Sequence, residues 1–210
     1  MNSKTLDFYI PSINYILEVQ NSDGSIPWEK GKKLDPWDHV EACMGLSIAG
    51  KKDEAEQAFL WLSDNQLEDG SWYSEYLKSI PQTKRRETNF SAYIATGLMH
   101  HYLIFKDKDF LEKLYPTLSK AIDFVISSQT LQGDVYWAQE EGKEILDDSL
   151  ITGSSSIYKS LECAIAINEI LDRPADRLLE AKSKLKNSII NNPERYDRSW
   201  ESKSRYSMDW

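Results

Sequence analysis

The sequence predicts an all-α fold, an α/α toroid of antiparallel helical hairpins. Three observations lead there. A short motif recurs three times, with Tyr15, Gln20, Gly24 and Trp28 in the first copy, Trp61, Gln66, Gly70 and Trp72 in the second, and Phe124, Gln129, Gly133 and Trp137 in the third. Recurrence of this kind marks a stack of equivalent supersecondary units. Between the copies, helices with apolar residues at helical spacing alternate with helices rich in small residues on most sides. Finally, the order of helix, Gln-Gly connector, small-residue helix, short turn, helix repeats along the chain, which builds inner and outer layers around a ring.

Each copy has the same mechanical reading. The residues before the Gln form the end of an amphipathic helix. The Gly ends it in a conformation that side-chain-bearing residues avoid. The Gln is expected to bond the backbone of its own loop or of the next helix end. The Trp covers that polar junction with apolar area and offers an N–H donor. The motif is a connector, not a catalytic centre.

The first helix is expected over about 4–20, with Leu6, Ile10, Ile13, Ile16 and Leu17 apolar and Pro11 kinking it or delaying its start. Asp35-Pro36 opens the first inner helix, residues 37–48, as an N-cap followed by proline. Gly50 stops it, and Asp53 starts an outer helix that buries Ala55, Ala58, Phe59 and Leu62. After the second connector comes a charged insertion, Lys84 to Glu87. Thr88 or Asn89 then caps a second inner helix that reaches Phe105, with its partner over Asp109 to Ser128. The third insertion carries Glu140, Glu141, Asp147 and Asp148. One of Ser154, Ser155 and Ser156 is expected to cap an inner helix from Ile157 to Leu171, with Ala175 to Ile190 outside it. The chain from Pro193 reads as another aromatic loop, and Tyr206 to Trp210 as the start of a fourth inner helix. Seven helices are expected where a closed ring needs about twelve. The expectation is one incomplete toroid domain over 1–210, either truncated or an open half that self-associates.

Composition bounds the partners. With 34 acids against 25 bases and a formal net charge of −9, nucleic acid is excluded as a partner. No polybasic anchor is present and no stretch approaches a transmembrane helix in length. The N-terminus lacks the pattern of a signal peptide, so a cytoplasmic location is expected. Cys43 and Cys163, the two cysteines, fall in helical patterns and read as small core residues. Seven Trp and 11 Tyr are enough aromatics to line a cavity as well as fill a core.

The segment from Trp61 through Gln66, Asp69, Gly70 and Trp72 resembles the Gln-Trp repeat of squalene-hopene and oxidosqualene cyclases and the related protein prenyltransferase β subunits. The wider group also resembles the six-hairpin glycosidases, which share the toroid. The leading expectation from the resemblance is a terpenoid cyclase or prenyltransferase-like enzyme acting on an isoprenoid in a central cavity. The alternative is a carbohydrate-active enzyme (glycoside hydrolase, lyase or epimerase) with paired carboxylates. A third is a non-catalytic toroid that binds a glycan or a protein. The cyclases' acidic motif is Asp-x-Asp-Asp; its nearest match here, Ile145 to Asp148, lacks the first Asp. The prenyltransferase zinc pattern is also missing, since neither Cys43 nor Cys163 has an Asp two residues before it. His39 and Cys43 make at most half a metal site on one helix face, so no metal and no cofactor are expected.

In a toroid the connector loops and inner-helix N-termini gather at one mouth. The candidate catalytic residues there are Asp38, Glu41, Glu87, Asp147 and Asp148. Trp37, His39, Asn89, Tyr136, Trp137, Tyr158, Lys159 and Asp209 are the candidate substrate-binding residues. Carboxyl pairs suit acid–base work on a sugar, with aromatics stacking on its ring; the same aromatics would also steady a carbocation. Asp35 and Asn89 read first as caps, and Asp147-Asp148 first as a solvated loop. Glu41 and Glu162 stand in apolar inner-helix patterns, where an acid must be paired or face a cavity. Lys159 and Arg205 are the candidate partners.

Overall fold

In the computed structural model, residues 3–199 are described. They form α1 (Ser3–Val19), α2 (Pro36–Ile48), α3 (Lys52–Asp64), α4 (Thr88–Ala92), α5 (Ile94–Phe105), α6 (Lys108–Ser127), α7 (Ile151–Ile170) and α8 (Asp176–Asn191). A 3-10 turn follows at Pro193–Arg195. α4 and α5 are one inner helix interrupted at Tyr93, whose N–H still bonds Asn89 O. The inner layer is α2, α4–α5 and α7, packed side by side. Each turns back onto its outer partner, α3, α6 and α8, while α1 lies against α2. This is the α/α toroid arrangement that the alternation of small-residue and amphipathic helices predicts.

Close approach explains the small residues. A Cβ on Gly97 would sit 2.5 Å from Val40 Cγ1, so α5 can reach α2 only with glycine there. Cys43, Leu46, Ala58, Phe59, Leu98 and Leu114 are among the fully buried side chains between the layers. Both cysteines are buried and free.

The three connectors are built alike. Gln20 Nε2 donates to Gly24 O and to Glu54 O of α3. Gln66 repeats this with Gly70 O and Thr117 O of α6, and Gln129 with Gly133 O and Ala181 O of α8. The Gln therefore bonds both its own loop and a neighbouring outer helix, tying each unit to the next. Trp72 donates its indole N–H to Leu62 O, as the motif reading requires. Trp137 is also buried, but its indole nitrogen has no hydrogen-bond partner.

The structure differs from the sequence expectations in several places. Pro11 lies inside α1, which already starts at Ser3, so the proline does not delay the helix start. α7 begins at Ile151, so Ser154, Ser155 and Ser156 are helical residues and not caps. Ser155 Oγ bonds back to Ile151 O, and Ser154 is buried. Glu87, not Thr88 or Asn89, holds the N-cap position of α4. The insertions also contain short strands. β1 (Lys33–Leu34) pairs with β2 (Tyr76–Leu77), which pairs with β3 (Ile80–Pro81), all antiparallel. β4 (Arg85–Glu87) pairs antiparallel with β5 (Ala138–Glu140). Each two- or three-residue strand is too short to leave an alternating pattern. Together they staple the insertion of one unit to that of the next. No helix among the described residues is long and apolar enough to cross a membrane. The expected fourth inner helix, with Tyr206 and Trp210, lies outside the described residues.

Candidate functional site

A cavity of about 550 Å³ opens where the connectors meet the inner-helix N-termini. Its wall includes Trp28, Lys33, Asp35, Trp37, Asp38 and Glu41 from the first unit. Ser74, Glu75, Thr83, Arg85, Asn89 and Phe90 come from the second, and Thr152 and Gly153 from α7.

Asp35 is the pivot. It is the N-cap of α2, with Oδ1 accepting from Asp38 N–H at 2.9 Å. Oδ2 accepts from the Trp28 indole N–H at 2.7 Å. The residue is 6% exposed. Burial and then the neighbouring Asp38 charge push its carboxyl up to about 6, against the restraint of the donated hydrogen bonds. Asp38 itself is exposed to the cavity. A carboxyl that keeps its proton up to about pH 6, beside one open to solvent, is what proton transfer to a leaving oxygen needs.

Beside this pair stands an aromatic platform. The Trp37 and Tyr93 rings stack with centroids 3.8 Å apart and an interplanar angle of 5°. Glu41 Oε1 accepts from the Trp37 indole at 3.1 Å and from the Tyr93 hydroxyl at 3.3 Å. Burial, with the Glu41 charge, raises the Tyr93 hydroxyl to about 12, so it remains a donor. Glu41 thus faces the cavity and also holds the platform.

Of the expected site residues, the structure brings Trp37, Asp38, Glu41 and Asn89 to the cavity. The others stand elsewhere. His39 is fully buried: its Nδ1 accepts from Ile26 N–H and its Nε2 donates to Ala58 O. Both ring nitrogens serve the junction of the first connector with α3. Glu87 is fully buried at the end of β4, where it pairs in register with Ala138 of β5. Trp137 packs with Ala138 and Leu150. Tyr136 uses its backbone oxygen to accept from Thr88 and does not line the cavity. Tyr158 turns towards α8, with Lys182 Nζ 5.6 Å from its ring centre. Lys159 is exposed and pairs with Glu162, which also meets Lys182.

Asp147 and Asp148 do not act as a free acid pair at the mouth. Asp147 pairs with Arg195 at 2.8 Å and Arg198 at 3.2 Å. Asp148 is 1% exposed and accepts from the N–H groups of Ser149, Arg198 and Ser199. These two acids anchor the segment after α8. Asp209 and Arg205 lie outside the described residues. Among the described residues, no group of three or more His, Cys, Asp or Glu side chains is placed to hold a metal ion.

The sequence reading left Asp35 as a cap because the cap alone explains its position. The signal was the pairing of that cap with Asp38, which places two carboxyls on one helix turn. Arg85 was read only as part of a charged insertion.

Burial holds the His39 imidazole down to about 4. The folded state therefore binds fewer protons than the unfolded state between pH 6.5 and about 4. His39 contributes stability that is intact above this window and declines as pH falls through it. Replacing His39 by Gln, which can still bond Ala58 O, removes the titration. Wild-type stability is then expected to fall relative to His39→Gln by up to about 1.4 kcal/mol per pH unit across that window. Urea unfolding of both proteins from pH 7.5 to 4 checks this; parallel curves contradict it.

A scan against models of known protein families matches none of them. In sequence, the chain is similar to a Mycolicibacterium hassiacum protein named MMP endo-(1,4)-3-O-methyl-alpha-D-mannosidase. The two are 37% identical over 195 residues, 93% of this chain and 53% of that protein. The chain thus spans about half the length of the curated relative it matches. In structure, it is similar to an unsaturated glucuronyl hydrolase specific for heparin, with a TM-score of 0.68 and 12% identity over 90% of this chain and 55% of that one. An endo-β-1,4-glucanase from Acetobacter xylinum gives a TM-score of 0.62 and 13% identity over 86% and 56% of the two chains. Cellobiose 2-epimerase from Bacillus thermoamylovorans gives 0.63 and 10% over 90% and 56%. At these identities the likeness to solved structures shows the fold alone, the α/α toroid. Within the resemblance drawn from the Gln-Gly repeat, the comparisons support the glycosidase side and not the cyclase and prenyltransferase lead.

Proposed function

We propose that the chain carries the acid-bearing wall of a glycoside hydrolase acting on an oligosaccharide or polysaccharide of the α-mannoside type. The observation that carries this reading is Asp35, buried at the cavity wall against Asp38 with its carboxyl raised to about 6. The mannosidase named among the relatives supports the substrate class. The wall also argues against an isoprenoid. Four carboxylates (Asp35, Asp38, Glu41, Glu75) and two cations (Lys33, Arg85) line it, whereas a hydrocarbon ligand calls for mostly apolar walls.

In this reading Asp35 holds the proton, because burial and then the neighbouring Asp38 charge disfavour its ionised form. That proton goes to the glycosidic oxygen as the bond to the sugar carbon breaks. Glycoside hydrolysis needs a second carboxylate, to activate water or to meet the sugar carbon. Glu75, on the second unit's insertion, is a carboxylate at the cavity from outside the α2 turn. The Trp37–Tyr93 stack receives an apolar sugar face, with Glu41 keeping it in place. Asn89 and Thr152 offer polar contacts to hydroxyls.

The test is release of new reducing ends from α-1,4-linked manno-oligosaccharides, with and without 3-O-methyl groups, at pH 5 to 6. Trp37→Ala removes one ring of the platform. It is expected to raise KM about tenfold, equivalent to about 1.4 kcal/mol of lost stacking, with kcat nearly unchanged. A fall in kcat at constant KM contradicts the platform role.

A further inference from the structure

Trp28 differs from the other connector tryptophans. Trp137 stands as far beyond Gln129 as Trp28 stands beyond Gln20, yet Trp137 is 4% exposed and Trp28 is 49% exposed. Half-exposed indole normally moves with its loop, but Trp28 is held at four points. Its backbone N–H bonds Lys33 O at 2.8 Å. Its carbonyl accepts from the Tyr15 hydroxyl at 3.2 Å. Lys33 Nζ sits 3.7 Å from the centre of its ring. Its indole N–H donates to Asp35 Oδ2 at 2.7 Å. The strand pairing of Lys33–Leu34 with Tyr76–Leu77 fixes the far end of the same loop.

We propose that Trp28 is a positioning residue for Asp35: its N–H orients the carboxyl while its ring shields it from water. The proposal rests on the glycosidase reading only for what Asp35 does; the arrangement itself concerns Asp35 alone. The two effects of Trp28 have opposite signs. The N–H bond favours the ionised carboxylate, and the dry cover favours the protonated form. Of these, burial is the larger influence on Asp35. The charged groups that line the cavity with this carboxyl are Asp38 and Glu41 on α2 and Lys33, Glu75 and Arg85 from the insertions.

Two substitutions separate the effects. Trp28→Phe keeps most of the cover and loses the donor, so the Asp35 titration is expected to move up in pH. Trp28→Ala loses the cover as well, so the titration is expected to move down towards an ordinary carboxylate. The measurement is the carboxyl ¹³C NMR titration of the whole chain, with the Asp35 signal assigned by its absence from Asp35→Asn. A role confined to holding the loop would not produce shifts of opposite sign. An unmoved Asp35 midpoint in Trp28→Phe, or shifts in the same direction in both variants, overturns the proposal. The alkaline limb of manno-oligosaccharide hydrolysis is expected to follow the two titrations. Opposite titration shifts without hydrolysis by any variant, wild type included, uphold the Trp28 role and overturn the glycosidase reading.

Discussion

Asp35→Asn is expected to lower glycan turnover by roughly 10²- to 10⁴-fold, the usual range for loss of a general acid. The substitution removes the proton and little else. Asn is as good an N-cap as Asp, so the bond from Asp38 N–H to the start of α2 survives. The side-chain NH₂ then faces the Trp28 N–H, and losing that bond costs about 1 kcal/mol. An opposing gain appears at neutral pH. Asp35 has a raised folded-state value, so its stabilising contribution is present below the unfolded value of 3.8 and lost as pH rises through about 6. At pH 7 the native protein therefore holds a buried anion that Asn does not. Melting temperature should change little while turnover collapses. Wild-type turnover itself should fall as pH rises through about 6, because the acid loses its proton there. Measuring kcat against pH for both proteins, with thermal melts alongside, checks each part. An Asn variant that keeps more than a tenth of wild-type turnover contradicts the assignment of Asp35 as the acid.

The second large effect concerns the connectors. Gly70→Ala is expected to cost about 3 kcal/mol or more, from backbone strain together with overpacking. Gly70 has φ +91°, and a Cβ there would lie 2.1 Å from Lys120 O of α6. Backbone cannot yield as a side-chain tip can. Gly24 and Gly133 meet the carbonyls of Gln57 and Lys184 in the same way, so the constraint belongs to the repeat. Gly142 supplies the control. Its φ is +80°, but nothing lies within 4 Å of its would-be Cβ. Gly142→Ala should therefore lose only about 1 kcal/mol from the conformation. Urea midpoints of the two variants measure the difference. Equal losses would mean that packing of the connector on the outer helix adds nothing.

The connectors were the most legible part of the sequence for a physical reason. Gln66 and Gly70 each do a job that few residues can do, so the chain repeats them at fixed spacing. The small residues of the inner helices, Gly97 above all, were legible because close helix approach excludes large side chains. The site was legible where it is local, and at Asn89, whose place at the start of an inner helix puts it at the same mouth. Trp37 and Asp38 stand on the first turn of one helix and Glu41 one turn further on, and their spacing placed them together. Asp147 and Asp148 could not be read this way, because Arg195 and Arg198, which hold them, come from the segment after α8. His39 failed for the same reason: its partners Ile26 and Ala58 lie in a loop and another helix. Ser154 to Ser156 resembled a cap because hydroxyls favour both helix starts and tight inner-layer packing. Sequence spacing does not separate those two uses.

The central claim is that the mouth cavity receives a sugar. Saturation-transfer NMR with manno-oligosaccharides and the catalytically silent Asp35→Asn protein tests it without depending on turnover. The account predicts saturable transfer to the sugar ring protons, weakened about tenfold by adding Trp37→Ala. Absence of transfer to any manno-oligosaccharide, together with saturable transfer to an isoprenoid diphosphate, would contradict it.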